Sequence, residues 1–119
     1  MQTHVYIVLG GKDGRVLDSE HRELAGAIKV LLELTKRAKR LAIEIIPNSD
    51  ETLDRAIRHR GSVIVFLTRH MIQKAREIKE KHPDIKVVVF TILMPRDEIT
   101  IIGRIGLSKE SLEHIILGV

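Results

Sequence analysis

The chain has 119 residues, 44% of them hydrophobic, and no cysteine. That is enough apolar residue for one domain over 1–119 with its own core; disulfides, thiolate catalysis and cysteine-ligated metals are excluded, as suits a cytoplasmic protein. A net charge of +4 admits anionic partners, whereas apolar runs of only a few residues fall well short of the ~20 needed to cross a bilayer.

The first 10 residues open with MQTHVYIV, which has no basic segment ahead of an apolar one, so no secretory signal is expected. The first apolar run is VYIVL (5–9), and it breaks into GGKDGR (10–15). A glycine-rich break after a first strand is where many α/β proteins seat a phosphate. Here the spacing argues against a P-loop, because Asp13 follows Lys12 where a magnesium-binding hydroxyl is required. The dinucleotide pattern of three spaced glycines is absent too, and RVLDSE separates the glycines from the next helix. KDG reads more simply as a turn.

A helix is expected from Ser19, with an apolar stripe of Leu24, Ala27, Ile28, Leu31, Leu34 and Ala38. It runs into Lys36, Arg37, Lys39 and Arg40, then into a second strand, LAIEII (41–46). NSDE provides a helix start, with Asn48 or Ser49 as N-cap and acids in the first turn. This second helix should bury Leu53, Ala56 and Ile57 and stop at Gly61. A third strand, VIVFL (63–67), leads to a helix after Thr68 that buries Ile72, Ala75 and Ile78 and ends at His82, before Pro83. The fourth strand reads VVVFTIL (87–93), and ITIIGRIG (99–106) follows after only PRDE. So short a gap favours a hairpin, with the fifth strand antiparallel at the edge beside strand four. A last short helix, SKESLEHII, closes the pattern.

Near-continuous β-branched runs alternating with amphipathic helices define an α/β fold with a parallel sheet covered on both faces. The expected architecture is a three-layer sandwich, flavodoxin-like or Rossmann-like, with four parallel strands in order 2-1-3-4 and the fifth at the edge.

The chemistry-bearing residues fall at two ends of such a sheet. At the strand C-terminal ends, where open α/β sheets bind ligands, Gly10, Gly11, Lys12, Arg15, Thr68, Arg69, Thr91 and Arg96 form a candidate anion or nucleotide site. His70 lies at the same end as a lone acid–base candidate with no evident orienting carboxylate. At the opposite end the helices finish in cations, including Lys36, Arg37, Lys39 and Arg40, which make an alternative nucleic-acid face. The helix dipole alone favours cations there, by ~0.3–1 kcal/mol each. Tyr6, Phe66 and Phe90 all lie inside strand runs, which argues against readout by base stacking. No metal-ligand spacing, catalytic elbow or cofactor motif is present, so neither a metal nor a cofactor is expected. An edge strand carrying Ile99, Ile101 and Ile105 invites a protein partner or self-association over 99–105.

GSVIVFLT, a helix, and then KHPDIKVVVFT resemble the receiver domain of bacterial response regulators, and the length and βα order agree. The resemblance implies a flavodoxin-like fold with a phosphoacceptor aspartate at the end of strand three and an acidic pair at the end of strand one. It also implies a hydroxyl residue ending strand four and a lysine ending strand five. Thr91 matches the hydroxyl. Strand three ends instead in Leu67 and Thr68, and strand one in Leu9 and Gly10; Asp13 lies too far along, and Lys109 is displaced beyond GLS. The expectation is a non-enzymatic, receiver-like interaction or scaffold domain that cannot be phosphorylated. A nucleotide- or phosphate-binding protein is the alternative. With 30% charged and 3% aromatic residues, the composition also suits a heat-adapted protein or a designed α/β protein without natural function.

Overall fold

The computed structural model describes residues 2–10, 19–34, 40–90 and 100–102. Their elements are β1 (Thr3–Leu9), α1 (Ser19–Glu33), β2 (Leu41–Pro47), α2 (Asp50–Ile57), β3 (Val63–Phe66), α3 (Ile72–Lys81), β4 (Lys86–Phe90) and β5 (Thr100–Ile102). A 3₁₀ turn, Arg69–Met71, leads into α3.

β2, β1, β3 and β4 form an all-parallel sheet in the order 2-1-3-4. Val5 lies level with Ile43 on one side and Val63 on the other, and Val63 in turn with Lys86. The central strands are buried on both faces, which is why β1 and β3 read as continuous apolar runs rather than alternating ones. Their side chains still alternate between two cores. Tyr6, Val8, Ile64 and Phe66 pack with Leu53 and Ala56 of α2 and Ala75 and Ile78 of α3. Val5, Ile7, Val63 and Val65 pack with Ala25, Ile28 and Leu32 of α1. Helices therefore cover both faces, giving the three-layer α/β arrangement of flavodoxin-like folds.

Three local expectations need correction. The α1 face is rotated from the expected stripe: Ala25, Ile28 and Leu32 are buried, Ala27 is exposed, and Leu34 lies past the helix end at 62% exposure. Residues 25, 28 and 32 repeat at the 3–4 spacing just as well as the expected set. The phase is decided by which of the two sets meets the sheet. Ala38 lies outside the described residues.

α2 ends at Ile57, with Arg58 as its C-cap, rather than running to Gly61. Gly61 instead sits at φ 73° in the turn that delivers β3, where its lack of a side chain removes the left-handed penalty. At the other end of α2 the N-cap is Ser49, whose side chain accepts the Thr52 N–H while the Thr52 side chain accepts from the Ser49 backbone. That reciprocal box explains why NSDE starts a helix so sharply.

The third correction concerns β5. Thr100–Ile102 pairs in parallel with β4, Val88 opposite Thr100 and Phe90 opposite Ile102, not as a hairpin. The short-gap argument took PRDE alone as the connection, whereas the observed register demands a return of only two residues along the strand, about 7 Å, and one strand spacing across. Residues 91–99 lie outside the described residues.

Candidate functional site

At the strand C-terminal edge, Gly10 closes β1 buried and at φ 89°, so the chain turns there in a backbone conformation that favours glycine. Thr68 follows β3 half-buried. Its hydroxyl accepts the His70 N–H at 3.4 Å and its carbonyl accepts the Met71 N–H at 3.1 Å, so both groups build the 3₁₀ turn. Arg69 begins that turn, and His70 is exposed. Asn48, after β2, donates from Nδ2 to the Met71 sulfur at 3.4 Å and ties the two loops together. Gly11, Lys12, Arg15, Thr91 and Arg96 lie outside the described residues. Of the candidate anion set, the structure thus brings Gly10, Thr68 and the Arg69 backbone to one edge, engaged in turns. Among the described residues no group of three or more His, Asp or Glu side chains could hold a metal ion.

The opposite edge holds a cluster that reading along the chain missed. His4 and Tyr6 stand two residues apart on β1 and therefore share the face under α2. α2 ends just above them and delivers His59. The three rings lie nearly parallel: His4 and His59 stack with centroids 4.1 Å apart at 12°, and Tyr6 lies 5.8 Å from His59 and 6.2 Å from His4. The Tyr6 hydroxyl hydrogen-bonds His59 Nδ1. Tyr6 is buried, His4 half-buried and His59 exposed, so the cluster runs from core to solvent. Period-2 spacing on β1 was the available signal. The partner ring, 53 residues from Tyr6, had none.

Burial pushes the Tyr6 phenol above its ordinary value of 10.0; the Glu44 carboxylate, level with it on β2, adds to the rise and Arg55 opposes it. Glu44 and Arg55 are themselves paired at 2.8 Å, each about half exposed. Which of the two groups donates in the Tyr6–His59 bond is set by the imidazole tautomer.

This rise has a testable consequence. The fold binds the Tyr6 proton more tightly than the unfolded chain, so the associated stability is complete below about pH 10 and is lost as pH rises through the folded-state value. Urea unfolding should therefore show the wild type losing stability above about pH 10 more steeply than Tyr6→Phe. At neutral pH that variant should cost about 0.5–1.5 kcal/mol for the lost hydrogen bond. Parallel pH curves for the two proteins would refute the assignment.

Several cations lie at this same edge of the sheet. Arg40 precedes β2, Arg58 caps α2, and Arg60 stands in the turn before β3 with its side chain 94% exposed, 4.0 Å from Asp84. Of the candidate nucleic-acid face Lys36, Arg37, Lys39 and Arg40, Arg40 is described, exposed at this edge; Lys36, Arg37 and Lys39 lie outside the described residues. Lys79 donates to the carbonyls of Pro83 and Ile85 at 3.0 and 3.1 Å, fastening the α3–β4 turn. Lys86, half-buried on β4, has its ammonium pKa lowered, first by burial and then by the neighbouring charge of Lys79.

Compared with known protein families, curated proteins and solved structures, the chain matches none.

Proposed function

We propose that this chain is a non-enzymatic interaction or scaffold domain on a receiver-like plan, without phosphorylation chemistry. The supporting observation is the pair of strand ends that a receiver would use. β1 finishes in Leu9 and a buried Gly10, and β3 is followed by Leu67, 3% exposed, and Thr68, whose hydroxyl serves the next turn. Aspartyl phosphorylation needs a carboxylate nucleophile there, with further carboxylates beside it to hold the divalent cation. A buried leucine supplies neither.

The test is incubation with acetyl phosphate and Mg²⁺, followed by intact-protein mass spectrometry. The expected result is an unchanged mass. A phosphoryl adduct that is lost on treatment with hydroxylamine would overturn the proposal.

A further inference from the structure

The sheet's N-terminal edge carries two features that its structural duties do not use up. The first is positive charge away from helix ends. Dipole compensation accounts for Arg58, Lys79 and Lys81 at or near helix C-termini. It does not account for Arg40 ahead of a strand or for Arg60, extended into solvent 4.0 Å from Asp84. Lys86, like Val88 two residues on, projects from the α1 side of β4, away from the rings, and takes no part in this surface.

The second feature is the ring cluster. Cations alone would suit any polyanion. Here they share the edge with a near-parallel imidazole pair whose outer member, His59, is exposed and lies between Arg58 and Arg60 in sequence. Imidazole faces stack on nucleobases, and arginine forks suit phosphates.

We propose that this edge is a docking surface for single-stranded nucleic acid, with phosphates taken by Arg40, Arg58 and Arg60 and a base stacked on His59. The three arginines lie at the starts of β2 and β3, spread over two strand spacings, about 10 Å, so they follow a backbone rather than converge on one phosphate. Tyr6 positions the platform: its hydrogen bond to Nδ1 fixes the rotation of the His59 ring, and His4 supports that ring from beneath. An acidic peptide would engage the cations and leave the rings idle. The proposal rests on the interaction-domain reading and names its partner.

Fluorescence anisotropy with a short labelled single-stranded oligonucleotide tests it, using the full chain over a salt series. Three phosphate contacts predict a log–log slope of about −2, roughly a 20-fold loss between about 50 and 200 mM salt. Arg58→Glu with Arg60→Glu should weaken binding at least about tenfold and flatten that slope by about 1.4. His59→Ala should weaken it by about tenfold with the slope unchanged, and His59→Phe should restore it, since another ring can stack. Circular dichroism confirms that each variant is folded.

Absence of binding at low salt would overturn the proposal. So would equal competition by polyglutamate, which would point to an acidic protein partner, or binding that His59→Ala leaves untouched. None of these outcomes alters the acetyl phosphate result, so failure here is separable from failure of the interaction-domain reading.

Discussion

Phe66→Ala should lower the unfolding free energy by about 3–5 kcal/mol. Phe66 is fully buried on β3, level with Val8 on one side and Val89 on the other, beneath the layer formed by α2 and α3. Strands on both sides and helices above leave the surroundings little room to collapse into the space vacated. Domains of this size are stable by about 5–15 kcal/mol, so the loss is a large fraction of the total, with a fall in Tm of more than about 10 °C. Urea denaturation should show the midpoint shifted and the slope retained. A loss under about 1 kcal/mol would mean that this part of the core is not packed as described.

The second large effect comes from α1. Ile28→Ala should cost about 2–5 kcal/mol, whereas Leu34→Ala should stay within about 0.5 kcal/mol. Ile28 is fully buried against the sheet, and Leu34 stands 62% exposed beyond the helix. Both belong to the stripe that sequence periodicity suggests, so the pair of variants measures the phase of the helix directly. Similar losses for both would restore the sequence-derived face.

That contrast shows where sequence reading works and where it stops. Strand runs such as VIVF are legible because burial on both faces leaves no polar residue to interrupt them, and the alternation of runs with helical patterns leads to a parallel sheet in order 2-1-3-4. Helix phase is harder. Leu24, Ala25, Ile28, Leu31 and Leu32 compete with Ala27 and Leu34 for one face, and only contact with β1 and β3 decides among them. The direction of β5 was not legible either, because it is set by pairing with β4, Val88 beside Thr100 and Phe90 beside Ile102, and the sequence carries no local signal for it.

The candidate site divides the same way. Gly10 and Thr68 could be placed at the strand C-terminal edge from position alone, since strand ends and following turns are local features. The ring cluster could not. His4, Tyr6 and His59 meet through the pairing of β1 with β3 and the docking of α2, and counted along the chain the histidines look scattered. A tally of Phe, Tyr and Trp understated the stacking surface because its exposed member is an imidazole.

β2 ends the four-strand ladder, and one row of its backbone donors and acceptors has no partner strand among the described residues. Such a row is a template on which a stray strand from another molecule can add, the first step toward aggregation. Two residues of β2 work against it. Glu44 stands in mid-strand, about half exposed and paired with Arg55, so an incoming apolar strand would meet a charge on the same face. Pro47 closes the strand and has no N–H to donate, so a growing ladder runs out of bonds at that point. The one acidic residue in an otherwise apolar strand thus helps keep the molecule from polymerising through its own sheet.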